Sequence, residues 1–233
     1  MSTVIASVDR RSPAQLAGIK PGEQLLTING HEIIDVLDYR FYGYDADSHL
    51  TLREPNGAQR AVHIRKQEGQ DLGLNFDTYL MDEMRSCANH CIFCFVDQMP
   101  PGMRQTLYFK DDDARLSFLL GNYITLTNLT EREAQRIIDL HICPINVSVH
   151  TTDPQLHCTM LGNKNAGRSL EYIRAFCKAG IVMNGQIVIC PGWNDGDQLR
   201  RTLRDLTDWE FSSCSLVPVG ITKYRKGLAK LRP

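Results

Sequence analysis

The stretch INVSVHTTDPQLHCTMLGNKNAGRSLEYIRAFCKAGIVMNGQIVICPGWNDGDQL, residues 145–199, decides the fold class. Ile145–His150 and Ile181–Cys190 are β-prone, and Leu170, Ile173 and Cys177 between them mark an amphipathic helix that Gly180 would end. A strand, a helix and a second strand at this spacing form a parallel pair joined by a crossover helix. The same alternation extends to both sides. Upstream, Thr130-Glu131-Arg132-Glu133 is a capping box followed by Ala134, Ile137 and Ile138 at helical spacing. Downstream, Asp197 can cap a third helix with Leu199, Leu203 and Leu206 on one face. Tyr123–Asn128 and Ser215–Ile221 are further β-prone segments, and a first strand is expected around Thr78–Arg85. The expected architecture from about residue 77 is an α/β barrel or an open α/β layer.

A parallel sheet covered on both faces should be apolar on both. These strands are apolar on one only. Ile145, Val147 and Val149 alternate with Asn146, Ser148 and His150. Met183, Ile187 and Ile189 alternate with Asn184 and Gln186. Tyr123, Thr125 and Thr127 oppose Ile124 and Leu126. An unpartnered buried polar group costs about 1–3 kcal/mol, so this face is completed either by a ligand or water, or by hydrogen bonds between neighbouring strands.

Residues 1–66 have a different rhythm of short strands and turns. Val4–Val8 alternates, Ser12–Gly18 reads as a short capped helix closed by glycine, Gln24–Ile28 is a strand, and Asn29-Gly30 is a tight turn. The run SPAQLAGIKPGEQLLTINGHEI resembles a small bacterial-type PDZ domain in helix, turn and strand order. Such domains bind an extended peptide by strand addition and carboxylate capture. No glycine-rich loop precedes Val4. Asp71–Phe76 would supply that loop in a circularly permuted version, and otherwise residues 67–76 are a linker.

Between these regions Cys87, Cys91 and Cys94 form a C-x3-C-x2-C loop. Three thiolates converge in so short a loop around an ion or a cluster. A structural zinc site would need His90 or a distant Cys as fourth ligand, and zinc sites usually carry paired C-x2-4-C knuckles. An iron–sulfur cube normally takes four Cys, so three leave one iron open. The other five Cys (143, 158, 177, 190 and 214) are scattered among apolar residues, as reduced buried thiols commonly are. A net charge of −1 gives no support for nucleic-acid binding. The first residues lack the basic and apolar regions of a signal peptide, and no apolar run approaches the roughly 18–20 residues of a membrane span. A reducing cytoplasm is the expected compartment.

The loop, with an aromatic before its last Cys, resembles the signature of the radical S-adenosylmethionine (SAM) superfamily. Together with the PDZ-like front end, CANHCIFCFVDQMPPGMRQTLYFKDDDARLSFLLGNYITLTN resembles the bacterial PDZ–radical-SAM proteins that carry a further C-terminal domain. The resemblance implies a PDZ-like domain over 1–66, a linker or PDZ-closing strand over 67–76, and a radical SAM core over 77–233. That core is expected to be a partial TIM-type barrel, because a closed one takes roughly 250 residues. The resemblance also implies a [4Fe-4S] cluster on Cys87, Cys91 and Cys94, with SAM on the open iron. One electron passed to the SAM sulfonium cleaves a C–S bond, and the resulting adenosyl radical abstracts hydrogen from a small-molecule or protein substrate. Phe93 would border the adenine. Thr127 and Asn128 would stand in for the superfamily's Gly-Gly-Glu turn, which is absent, and Ser148, Asn184 and Gln186 would face SAM. A flavodoxin or ferredoxin would supply electrons, and the PDZ-like domain would take a peptide or protein partner.

Three further features stay open between readings. Asp111-Asp112-Asp113-Ala114-Arg115 is a solvated turn and helix cap, or a site for a cation or basic group. His150 handles a proton or belongs to the core. Cys158 and Cys190 are redox-active or packing thiols. The alternatives for the whole chain are an electron carrier with four Cys ligands, or a binding module whose metal loop is structural.

Overall fold

A computed structural model describes residues 3–232, and the chain divides into two compact units, Met1–Met84 and Arg85–Pro233. The first unit contains β1 (Ile5–Val8), α1 (Pro13–Leu16), β2 (Gln24–Ile28), β3 (His31–Glu32), α2 (Val36–Tyr42), β4 (Asp47–Arg53), β5 (Gln59–Arg65) and β6 (Leu74–Phe76). Strands β3-β2-β4-β5 form an antiparallel sheet, and β6 pairs antiparallel with β1. The reason is period-2 burial: on β4, Ser48, Leu50 and Leu52 point inward while Asp47, His49 and Arg53 face solvent. Ile5, Leu25, Ile28, Leu50 and Leu52 make the core.

Two polar devices close this unit. Glu23 is buried and takes two hydrogen bonds from Arg60, at 2.7 and 2.9 Å, plus the Lys20 N–H at 2.7 Å. Arg60 holds the Glu23 carboxyl below its usual range against the opposing effect of burial. At Gly73, φ is +82° and a Cβ would lie 2.2 Å from Ser12 Cβ, so only glycine lets the segment before β6 pass the start of α1.

The second unit contains α3 (Ala114–Leu120), α4 (Glu131–Asp139), β7 (Ile145–Ser148), α5 (Pro154–Leu161), α6 (Gly167–Lys178), β8 (Met183–Ile189), α7 (Gly196–Asp208) and β9 (Ser213–Pro218). Strands β7-β8-β9 run parallel. The mixed α/β expectation holds, and the described residues contain no closed barrel. Ile145, Val147 and Val149 bury their face against Leu170, Ile173 and Phe176 of α6, as the alternation required. Thr130 and Glu133 complete the capping box of α4.

Three local expectations need correction. Thr78–Arg85 forms no strand: Leu80 and Met81 turn inward, and Met81 adopts φ +66°, which breaks the period-2 pattern. Tyr123–Asn128 contributes only a parallel bridge between Ile124 and Val147, because Leu126 at φ +61° ends the extended run. The N-cap of α7 is Asp195, not Asp197, and the Asp195 side chain instead accepts from Gly192 N–H at 2.9 Å.

Candidate iron–sulfur centre

The cysteine loop is held from three sides. Cys87 N–H donates to Lys110 O at 2.7 Å, His90 N–H to Leu161 O at 2.9 Å, and Ile92 N–H to Met160 O at 2.8 Å. The last two place the loop on the end of α5, where Gly162 is the left-handed cap. A Cβ on Gly162 would stand 2.4 Å from His90 O, so a larger residue there would displace the loop. From the third side, Gln98 is fully buried. It donates to Cys94 O at 3.3 Å and Gly220 O at 2.9 Å, and accepts from Thr222 N–H at 2.9 Å. Arg225 adds a bond to Ile92 O at 2.8 Å.

Two of the three thiols have donors nearby. The Asn89 side-chain amide lies 3.3 Å from Cys87 Sγ, and the main-chain N–H groups of Asn89 at Cys87, and of Val96 and Asp97 at Cys94, favour the ionised thiols. Lys110 stands close enough to Cys91 and Cys94 to favour their ionised forms, and is itself paired with Asp97 at 2.6 Å. Burial nonetheless pushes all three thiols upward, so without metal they are protonated at neutral pH. Donors beside sulfur, with the Lys110 charge nearby, suit thiolates shared with a metal group, whereas the neighbouring Asp112 carboxyl favours the protonated thiols.

Among the described residues, the one trio of metal-type ligand atoms within 4.8 Å of one another is Asp47, His49 and His63. The Asp47 trio is an exposed ladder across β4 and β5, with Asp47 already paired to His63 at 2.6 Å and near Arg65 at 3.6 Å.

In the Asp111–Asp113 run the helix-cap reading holds at Asp113, and Asp111 is exposed. Asp112 and Asp113 are buried, at 2% and 1% exposed, which corrects the expectation of a solvated run. Asp113 caps α3, pairs with Arg115 at 2.7 Å, and accepts from Arg85 N–H at 3.1 Å. Asp112 accepts from Thr125 N–H at 2.6 Å and Thr125 Oγ1 at 2.5 Å. Burial raises the Asp112 carboxyl to about 6, with those bonds opposing.

Phe93, Thr127 and Asn128 all lie at the loop. The Phe93 ring packs 4.4 Å from that of His150, Thr127 Oγ1 bonds to Asn89, and Asn128 donates to Ser86 O at 3.3 Å. Ser148 and Gln186 share one register row with Ser215. Asn184 lies a row earlier, toward the start of the strands, and its amide is engaged by Asn146 at 3.0 Å and Ser213 at 2.7 Å. For Asn184, therefore, the inter-strand reading describes what is present.

His150 sits at the C-terminal end of β7 at φ +57°, 3% exposed. Its Nδ1 accepts from Val188 N–H at 3.2 Å, which puts the proton on Nε2, and burial lowers its pKa to about 3. It is a neutral packing partner for Phe93. Asn194 fixes the same strand ends by donating to His150 O and Val188 O, both at 2.9 Å. Cys158 Sγ accepts from Gly167 N–H at 3.2 Å at the start of α6, and Cys190 is fully buried.

In the first unit, the candidate carboxylate loop is occupied by the chain's own groups. Asp71 accepts from Gly73 N–H at 2.6 Å and from Tyr39 at 2.9 Å, and the Tyr39 hydroxyl accepts from Leu74 N–H at 3.3 Å. Among the described residues, no helix is long and apolar enough to cross a membrane.

A thiol-rich loop is thus clamped beside a parallel α/β sheet. The radical SAM-like domain family matches residues 66–215, more than half the chain, and the protein belongs to that family. The PDZ domain family matches residues 4–53. No curated protein matches the chain.

Proposed function

We propose that the second unit is a radical SAM iron–sulfur oxidoreductase acting on a small-molecule or protein substrate. Cys87, Cys91 and Cys94 would hold a [4Fe-4S] cluster, leaving one iron for SAM. What supports this reading is the radical SAM-like family match over residues 66–215, together with the Asn89 amide 3.3 Å from Cys87 Sγ and the Lys110 charge beside the loop. Cluster and SAM together supply one-electron reductive C–S cleavage and hydrogen abstraction.

The chain's own residues position and shield. Phe93, backed by neutral His150, offers an apolar wall beside the loop. Thr127 and Asn128 present polar groups along its rim, while Ser148 and Gln186 extend a polar row across the sheet. Asn184, spent on its neighbours, would act at most by holding that row in place. The Gln98 clamp closes the far side and limits water access to Cys94. The PDZ-like unit would dock a peptide or protein partner, and a flavodoxin or ferredoxin in a reducing cytoplasm would supply electrons.

Anaerobic reconstitution followed by iron and sulfide analysis tests the ligand set. About four iron and four sulfide per chain are expected. Zinc retained in their place, with no sulfide, would move the function to the PDZ-like unit.

A further inference from the structure

We infer that Asn89 is a positioning residue that fixes the Cys87 sulfur and raises the reduction potential of the group the loop holds. The inference rests on the iron–sulfur reading above. Asn89 is 2% exposed and lies inside the cysteine spacing, yet its side chain faces away from solvent into a polar hub. Its amide nitrogen lies 3.3 Å from Cys87 Sγ, 2.9 Å from Thr125 Oγ1 and 2.8 Å from Thr127 Oγ1. Its carbonyl oxygen takes the Asn163 amide at 2.8 Å and the Thr127 hydroxyl at 3.1 Å. The Asn163 contact orients the Asn89 amide, placing its N–H2 toward the sulfur.

Proton counting shows what the hub can do. The Thr125 hydroxyl donates to Asp112 at 2.5 Å, so toward both Asn89 and Thr127, 2.9 Å away, its oxygen can only accept. One amide hydrogen is thereby committed, and the other is shared between Thr127 Oγ1 and Cys87 Sγ. A thiol is a weak acceptor and a thiolate a strong one. On metal binding, the shared hydrogen therefore shifts toward sulfur, while the Thr127 oxygen keeps its neighbours in the hub. A hydrogen bond to a ligating sulfur withdraws charge and raises the potential of an iron–sulfur centre. Through Asn89 that sulfur is braced by Thr125 on one side and by Asn163, between α5 and α6, on the other.

The test is an anaerobic redox titration, followed by EPR, of the full chain with reconstituted cluster. The wild type is compared with Asn89→Ala, Asn89→Ser and Thr127→Val, and circular dichroism checks the fold. Both Asn89 substitutions remove the side-chain amide that reaches the sulfur and are expected to shift the midpoint potential negative. Serine keeps a polar group in the hub and serves as the deciding variant if alanine fails to fold. Thr127→Val removes the competing acceptor, leaves the Asn89 amide to the sulfur, and should not lower the potential. Wild-type potential in both Asn89 variants would overturn the inference alone. An equal negative shift in Thr127→Val would do the same by showing only a structural role. A wild-type protein that assembles no cluster would overturn this inference together with the function on which it rests.

Discussion

The two units bury polar groups in opposite ways. In the first, Glu23 and Arg60 neutralise each other inside a network that ends on the chain's own Lys20 N–H. In the second, a chain of bonds from Asp112 through Thr125 and Asn89 ends on Cys87, a thiol that burial keeps protonated. The first arrangement is complete without a ligand and serves stability. The second ends on a thiol, and under the proposed function it is this end of the network that a bound metal group would engage.

The sharpest way to break the contrast is to remove one thiol. Cys91→Ser should abolish stable cluster binding, seen as loss of bound iron and sulfide, while leaving the unfolding of the first unit unchanged. A cluster that survives would show that Cys91 is dispensable and favour a ligand from the scattered cysteines. Next in size is Gly162→Ala, which sets a Cβ against His90 O in a left-handed position. It should destabilise the second unit by at least about 1 kcal/mol. It should also speed hydrogen exchange at His90 and Ile92, with cluster occupancy falling in parallel.

Glu23→Gln sharpens the comparison from the other side. Breaking a fully buried pair costs roughly 3–5 kcal/mol, and about 2 kcal/mol is expected here because the Arg60 side chain keeps 30% exposure. The sign with pH follows from the lowered Glu23 pKa: its contribution is present above the ordinary carboxylate value near 4.5 and disappears as pH falls through the folded value. Urea unfolding at pH 7 and at acid pH should therefore differ more in the wild type than in Glu23→Gln, and cluster binding should be indifferent to the substitution. The smallest effect belongs to Asp47→Asn on the exposed ladder, where no shift of the first unit's unfolding midpoint is expected, since surface pairs contribute little.

Much of this was legible from local pattern. Ser12 capping α1 and the Thr130–Glu133 box each follow from neighbouring residues, and each is present. The three Cys announced themselves by spacing. What escaped depends on distant partners. Asp112 and Asp113 looked solvated because like charges adjoin, yet Thr125, Arg115 and the Arg85 N–H make their burial possible. The Gln98–Thr222 clamp joins residues 124 apart in sequence, beyond any periodicity. Asn89 carried one faint signal, a polar amide between two clustered cysteines, and its hub required the fold. The strands expected over Thr78–Arg85 and Tyr123–Asn128 failed at left-handed Met81 and Leu126, residue types that give no warning of that conformation.

The central claim is that the thiol loop leaves one metal position open for SAM. EPR of the reduced, reconstituted protein with and without SAM tests it most directly. A [4Fe-4S]⁺ signal whose g-values shift on adding SAM is the predicted result. A normal cluster signal indifferent to SAM would contradict the claim and mark the chain as an electron carrier.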